Sequence, residues 1–82
     1  MENQEKWINQ DNFLIKVFTF NNFLEAIDFV NKVALLAEKN KHHPDIEIFS
    51  YKKVKIKLST HDKGNQITQK DIELSLEIDK IK

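Results

Sequence analysis

The sequence predicts an α+β fold, a four-stranded antiparallel sheet with helices packed on one face, in the order β-β-α-β-β-α. Three apolar residues, Val54, Ile56 and Leu58, alternate with lysines, which predicts a strand with one buried and one solvated face. Over residues 22–40, apolar residues instead recur at helical spacing. Because both patterns share a chain of 82 residues, we predict a single domain over residues 1–82.

The other predicted strands follow from composition and from turn residues. Residues 7–9 and 13–20 are rich in aromatic and β-branched side chains, and residues 10–12 between them are typical of a turn. These segments predict a hairpin at the start of the chain. A second pair of strands is predicted at about residues 46–50 and 52–59.

The first helix is predicted from Asn22 to about Asn40. Asn22 and Glu25 have the spacing of a capping box. The predicted core stripe consists of Phe23, Ala26, Ile27, Val30, Val33, Ala34 and Ala37, widened by Phe29 and Leu36. Leu24 and Leu35 fall together on another side. Because one small sheet cannot cover all of this surface, we expect a partner subunit to pack on the helix.

Two further signals mark the end of the first helix and the start of the second. Pro44 ends the first helical region and keeps the preceding residue out of the α conformation. Thr68, with Asp71 three residues later, begins a final helix. The stripe that faces the core in this helix is Leu74, Ile78 and Ile81.

The composition excludes several classes of function. Thirteen acidic residues balance thirteen basic ones, and all the basic residues are lysines, so no arginine is present to read guanine or clamp phosphate. No apolar run approaches the roughly 18 residues that cross a bilayer, and the charged residues 1–6 lack the apolar core of a signal peptide. Without cysteine there is no disulfide scaffold or thiolate metal site. We therefore expect a cytoplasmic protein that binds neither nucleic acid nor membranes.

All three histidines occur in two short motifs. His42 and His43 precede Pro44, and His61 follows the last predicted strand. Histidine is the side chain whose ordinary pKa suits proton transfer near neutral pH, so these motifs predict an acid/base site. One alternative is a solvated helix end, where protonated histidine interacts favourably with the helix dipole. Another is a zinc site, but adjacent residues of extended backbone point to opposite sides, so His42 and His43 do not easily share one ion.

The spacing of polar and aromatic residues resembles a family signature. It consists of Glu38, three residues, His42-His43-Pro44, six residues, Tyr51, nine residues, His61, nine residues and Asp71. This pattern resembles that of the pterin-4a-carbinolamine dehydratases. The resemblance covers about residues 7–81 and includes Phe20, Phe23, Ala26, Val33-Ala34, Ala37, Val54, Leu58, Thr60, Asp62 and Thr68.

The resemblance implies a small cytoplasmic enzyme that removes water from 4a-hydroxytetrahydropterin to give quinonoid dihydropterin. This step regenerates the pterin used by aromatic amino-acid hydroxylases, which makes such a hydroxylase a possible metabolic partner. Family members need no metal and no bound cofactor, because the pterin is the substrate. They are dimers or tetramers, and we expect assembly through a sheet edge and the helix at residues 22–40.

The resemblance also suggests roles for individual residues. His42 and His61 are expected to be the acid/base pair, and His43 to contact and orient the pterin. Glu38 is expected either to orient a histidine or to bind the aminopyrimidine edge of the substrate. Asp71 is expected to hold His61 in its reactive tautomer, or to complete the helix cap on Thr68, and the two roles are compatible.

Pro44 and Tyr51 complete the expected substrate-binding set, with Tyr51 as an aromatic wall or a core residue. The chain departs from the family pattern where Asp45 and Ile46 follow the proline without an aromatic residue, and where Gly64 is the single glycine after His61. The alternative function is a catalytically weak family member that acts as a dimerisation or protein-binding module. Retention of all three histidines favours the enzyme, because a scaffold has no physical need for them.

Overall fold

The computed structural model describes residues 6–60 and 64–81. It contains the predicted elements in the predicted order: β1 (Ile8–Gln10), β2 (Phe13–Thr19), α1 (Phe23–Asn40), β3 (Asp45–Phe49), β4 (Lys53–Leu58) and α2 (Gln69–Ile81). Among these described helices, neither is both long enough and apolar enough to span a membrane.

The four strands form one antiparallel sheet in the order β1-β2-β4-β3. Pairing of Phe18 with Val54, and of Ile46 with Ile56, places the apolar residues of the three longer strands on one face. Both helices pack on this face, which confirms the predicted architecture. The buried core consists of Phe18, Ala26, Phe29, Val33, Val54, Ile56, Leu58, Leu74 and Ile78.

The sheet register brings two distant segments to the same end of the molecule. Asp45, the first residue of β3, pairs with Lys57 near the end of β4. The segment that enters β3 and the segment that leaves β4 therefore lie side by side. His42, His43 and Pro44 belong to the first of these segments, and Thr60 to the second.

Both hairpins close through residues in the left-handed region. Asp11 and Asn12 have φ of 54° and 66°, and Ser50 and Tyr51 have φ of 48° and 51°. Two consecutive residues with positive φ match the twist of the flanking strands. The second turn therefore takes residues 50 and 52, which the sequence pattern had assigned to strands.

The N-terminus of α1 is capped as the sequence predicts. Asn22 Oδ1 accepts a hydrogen bond from the Glu25 backbone N–H at 2.9 Å. Glu25 Oε1 accepts in return from the backbone N–H of Asn21 at 3.0 Å, one residue before the usual position.

The apolar stripe of α1 is rotated from the predicted one. The buried residues are Ala26, Phe29, Val33 and Ala37. Phe23 is 49% exposed and Ala34 is also exposed, so their assignment to the core was wrong. Phe29, which the pattern placed at the margin, instead lies at the centre of the core and packs against Phe18 and Phe20. The predicted outward position of Leu24 and Leu35 is confirmed, with 78% and 73% of their surface exposed.

The C-terminus of α1 is set by Lys41 rather than by Pro44. Lys41 adopts left-handed φ and ψ of 54° and 41°. Its N–H donates to the Glu38 carbonyl at 3.3 Å, and the His42 N–H donates to the Ala37 carbonyl at 3.1 Å. These two bonds form a Schellman motif, which ends the helix before the proline and fixes the backbone of His42.

Replacing Lys41 by glycine is expected to raise the free energy of unfolding by about 0.5–1 kcal/mol, because a left-handed residue with a side chain costs about 1–2 kcal/mol and glycine avoids most of it. Urea unfolding would measure the change. Lys39→Gly, inside the last helical turn, is the matched control and should lower stability by about 1 kcal/mol. A loss of stability in Lys41→Gly would contradict this role for Lys41.

Candidate active site

A buried histidine and a buried aspartate form the centre of the site. His42 lies just after α1 and is 8% exposed, and Asp71 lies in the first turn of α2 and is fully buried. The Nε2 atom of His42 is 2.5 Å from Asp71 Oδ1, across 29 positions of the chain. The Schellman turn positions the histidine, and packing of α2 against the sheet positions the aspartate.

The second oxygen of Asp71 is also fully engaged. Asp71 Oδ2 accepts from the hydroxyl of Thr60 at 2.9 Å and from the backbone N–H of Thr68 at 2.9 Å. The two threonine hydroxyls lie 2.6 Å apart. Thr60 is held in turn by paired backbone hydrogen bonds with Gln66. Four polar groups from three segments therefore surround one buried carboxylate.

The environment keeps the Asp71 carboxylate charged. Burial alone would raise the pKa of Asp71, but hydrogen bonds from His42, from the Thr68 backbone and from Thr60 outweigh burial and lower that pKa below its ordinary value of 3.8. An ionised carboxylate can only accept hydrogen bonds. The proton of the short contact is therefore carried by His42 Nε2, and Nδ1 is the ring nitrogen left for proton exchange.

Acid should weaken the fold through Asp71. Because its pKa is lower in the folded protein than in the unfolded chain, its stabilising contribution is complete above about pH 4 and is lost as the pH falls through the folded value. Urea unfolding at pH 7 and pH 3 would measure the difference for the wild type and for Asp71→Asn. The stability gap between the two proteins should narrow at pH 3. A gap that stays constant would show that Asp71 does not titrate in this way.

His43 points away from its neighbour and forms a second, exposed pair. Its Nε2 is 2.7 Å from Glu38 Oε2, and the two side chains are 64% and 76% exposed. Of the two roles expected for Glu38, this contact fits the orienting of a histidine. An exposed pair of this kind contributes about 1 kcal/mol or less to stability. Both side chains are accessible to a ligand.

Tyr51 lies apart from these residues. It occupies the tip of the β3–β4 hairpin and is 60% exposed. The five residues of β3 separate it from Pro44 by about 17 Å. Within one chain Tyr51 is therefore neither a core residue nor a wall of the site, and the expectation for it needs correction. Pro44, which is half-buried beside His43, stays with the site.

Of the two roles expected for Asp71, the cap on Thr68 is confirmed by the bond from the Thr68 N–H. The Asp71 carboxylate also binds His42, and its complete burial does not fit direct contact with a substrate. His61, the histidine with which the sequence analysis paired Asp71, lies outside the described residues. Within residues 6–60 and 64–81, no group of three histidine, aspartate or glutamate side chains is arranged to hold a metal ion.

The sequence analysis did not predict the role of Thr60, which was noted only within the family pattern. The spacing of Thr68 and Asp71 did predict a cap, because a capping box places the side chain at its third position close to the backbone that precedes the helix. The contact of the Thr60 hydroxyl with Asp71 and with the Thr68 hydroxyl was not expected. The pairing of Asp71 with His42 has no local signal.

A separate open cleft lies toward the other end of α1. It has a volume of about 250 Å³ and is lined by Phe20, Glu25, Asp28, Phe29, Lys32 and Ile81. None of the predicted site residues contributes to it. Along α1, Phe29 is about 16 Å from Asn40, after which the histidine segment begins.

These features define a small α+β domain with a buried histidine–carboxylate pair and an exposed histidine–carboxylate pair at one end of its sheet. The family model for pterin 4 alpha carbinolamine dehydratase matches residues 1–81. The chain belongs to this family.

Individual relatives agree with this assignment. A Prochlorococcus marinus protein is 51% identical over 81 residues, covering 99% of this chain and 83% of that protein. A Sulfolobus acidocaldarius protein is 43% identical over 77 residues, covering 94% of this chain and 82% of that protein. Both carry the name "putative pterin-4-alpha-carbinolamine dehydratase".

Two solved structures share the fold. The crystal structure of a transcriptional coactivator/pterin dehydratase from Brucella melitensis aligns with a TM-score of 0.85 and 32% identity, covering 94% of this chain and 82% of that chain. A pterin dehydratase-like protein described as a RuBisCO assembly factor in the alpha-carboxysome aligns with a TM-score of 0.74 and 24% identity, covering 92% and 87%. At that identity, the second likeness concerns the fold alone.

Proposed function

We propose that this protein removes water from 4a-hydroxytetrahydropterin to give quinonoid dihydropterin. The observation that carries the proposal is the buried contact between His42 and the ionised Asp71, in a chain that belongs to the pterin dehydratase family. The reaction needs proton transfer and no change of oxidation state. It therefore requires no metal and no cofactor, and the pterin is the substrate.

The chemistry needs one base and one acid. A base takes the proton from N5, and the freed electron pair forms the C4a–N5 double bond. The C4a–O bond breaks at the same time, and an acid protonates the departing hydroxide to give water. Each correctly placed group contributes about 10²- to 10⁴-fold to the rate.

His42 is suited to the role of the base. Its Nε2–H is committed to Asp71, so Nδ1 presents a lone pair in the neutral ring. Once Nδ1 has taken a proton, the adjacent carboxylate stabilises the imidazolium charge. Asp71 therefore favours proton transfer to His42 without accepting the proton itself.

His61 is proposed as the acid that protonates the leaving hydroxide. Its chain neighbour Thr60 is hydrogen-bonded to Asp71, which is the partner of His42. The proposed base and the residue next to the proposed acid therefore both bind the Asp71 carboxylate. This supports a pair of histidines acting on one substrate.

The exposed residues beside His42 are proposed to hold the pterin. His43 presents an imidazole that is oriented by Glu38 and accessible to solvent. The Glu38 carboxylate can also accept hydrogen bonds from the amino group and ring N–H of an aminopyrimidine. Pro44 supplies a rigid apolar edge next to this pair.

An assay with freshly generated carbinolamine tests the proposal. The formation of quinonoid dihydropterin would be followed by absorbance between pH 6 and 8.5, with and without the protein. We expect the protein to accelerate the reaction well above the uncatalysed rate. Equal rates with and without protein over this pH range would contradict the proposed activity.

In this proposal the protein acts in the cytoplasm, where it recycles tetrahydrobiopterin for an aromatic amino-acid hydroxylase. We also propose that a second copy packs on α1 to give a homodimer or homotetramer. Leu24 and Leu35 support this, because they lie on one side of the helix and expose most of their surface. Sedimentation of the wild type and of a Leu24→Lys, Leu35→Lys double variant would test the assembly, and the variant should sediment as a smaller species.

The same two leucines support the alternative function of a dimerisation or protein-binding module. The carbinolamine assay separates the two proposals, because a module does not accelerate dehydration. A protein that self-associates but leaves the dehydration rate unchanged would favour the module.

A further inference from the structure

The hydroxyl groups of Thr60 and Thr68 meet beside the buried carboxylate. Thr60 is 4% exposed, just after β4, and Thr68 is half-buried at the start of α2. Thr60 Oγ1 lies 2.9 Å from Asp71 Oδ2 and 2.6 Å from Thr68 Oγ1, whereas the direct contact from Thr68 Oγ1 to Asp71 Oδ2 is 3.4 Å.

The direction of these hydrogen bonds follows from the proton count. Each threonine hydroxyl has one proton to donate. The Thr60 hydroxyl donates its one hydrogen bond to the ionised Asp71, which can only accept. In the contact between the two hydroxyls, Thr60 is therefore the acceptor and Thr68 the donor. Donation runs in one direction, from Thr68 to Thr60 to Asp71.

We infer that Thr60 and Thr68 are positioning residues for His42 and act through Asp71. Their hydroxyl chain holds Oδ2, so that Oδ1 is reserved for the Nε2–H of His42 and Nδ1 stays directed away from the carboxylate. The kinetic part of this inference rests on the proposed dehydratase function. The effect on the His42 ring does not.

A helix cap alone does not require this arrangement. In a capping box, the carboxylate at the third position needs only the backbone N–H of the capping residue, and the Thr68 N–H already supplies this bond at 2.9 Å. The Thr60 hydroxyl is an additional donor from a different segment. It supplies a further hydrogen bond to a carboxylate whose charge is completely buried.

Without the Thr60 hydroxyl, Oδ2 keeps one strong donor and becomes a second acceptor within reach of the imidazole. Both oxygens of the Asp71 carboxylate can then accept the Nε2–H of His42, and the imidazole ring is less firmly oriented. This disturbs proton transfer at Nδ1 more than it disturbs binding of the pterin, because neither threonine belongs to the exposed pair of His43 and Glu38.

Thr60→Val, which keeps the shape and removes the hydroxyl, tests the inference against Thr60→Ser, which restores the donor. We expect Thr60→Val to lower kcat about tenfold, the effect of one hydrogen bond to a charged group, with KM within about twofold of the wild type. Thr60→Ser should recover most of the kcat. In ¹⁵N-labelled, ligand-free protein, the His42 Nε2–H signal should be sharp in the wild type and Thr60→Ser and broadened in Thr60→Val.

Ser75→Ala is the matched control, since it removes another buried hydroxyl of α2 that donates to the Ile72 carbonyl. It should leave both kcat and the His42 signal unchanged. A Thr60→Val variant with wild-type kcat and a wild-type His42 signal would overturn the inference. If Thr60→Val does not fold, Thr68→Ala and Thr68→Ser make the same comparison at the next hydroxyl from Asp71. The expected loss of kcat in Thr68→Ala is smaller.

The two proposals fail in different ways. If the wild type does not accelerate dehydration but the His42 signal changes in Thr60→Val and returns in Thr60→Ser, the proposed function is wrong and the positioning role stands. If dehydration is catalysed but neither kcat nor the signal responds to the threonines, the positioning role is wrong and the function stands.

Discussion

Asp71→Asn is expected to lower kcat by about 10- to 100-fold, and to lower the free energy of unfolding at pH 7 by about 3 kcal/mol or more. The expected loss of kcat corresponds to about 1.5–3 kcal/mol, the free energy of the lost hydrogen bond between the carboxylate and the catalytic imidazole. The expected loss of stability reflects the removal of one partner from a buried pair. Steady-state kinetics and urea unfolding at pH 7 would measure the two changes.

The catalytic effect comes from the imidazole rather than from the lost charge alone. An asparagine side chain can present its NH₂ group to His42, which favours the tautomer with the proton on Nδ1 and leaves no lone pair there. The matched control is Glu73→Gln, the same change at an exposed carboxylate of α2. It should alter neither quantity appreciably. Asp71→Asn with near-normal kcat would contradict the role assigned to this pair.

His42→Gln is expected to lower kcat by about two orders of magnitude or more, and His61→Ala to do the same. A glutamine amide can still donate to Asp71 in place of Nε2, so the buried carboxylate keeps a partner, but the amide cannot accept a proton. The loss of activity then reports on proton transfer and not on unfolding. Kinetics with thermal unfolding as a check on the fold would measure both.

His43→Ala is the control within the same motif. Because His43 is exposed and paired with Glu38, its loss should raise KM more than it lowers kcat. A His42→Gln or His61→Ala variant that is folded and turns over substrate at a near-normal rate would show that the acid and base are other groups.

The fold was predictable because its signals are local. Alternation of Val54, Ile56 and Leu58 with lysines defined β4, and the pair of Asn22 and Glu25 defined the start of α1. The order of elements then leaves few ways to cover one face of a small sheet. The structure confirms each of these predictions.

What the sequence could not provide depends on packing between distant segments. The stripe of α1 was misplaced because Phe23 and Phe29 are equally apolar, and only the position of the sheet decides that Phe29 is buried. Ser50 and Lys52 were assigned to strands because the left-handed turn at residues 50 and 51 contains no glycine to mark it. Neither fact is recorded in the local pattern.

A charged residue on the buried face illustrates the same limit. Lys16 shares the helix-covered face of β2, where strand alternation alone predicts an apolar side chain. Its ammonium group is 2.8 Å from Asp79, which also accepts from the Trp7 indole, so α2 supplies the partner. The partner of Asp71 was missed for the same reason, since His42 and Asp71 meet only after both helices have packed.

A crystal structure of the protein soaked with a dihydropterin would show whether His42 is the catalytic base. We expect the pterin ring within hydrogen-bonding distance of His42 Nδ1 and in contact with His43, with Asp71 still bound to Nε2. A ring bound instead in the cleft beside Phe20 and Phe29, with His42 untouched, would contradict this role for His42.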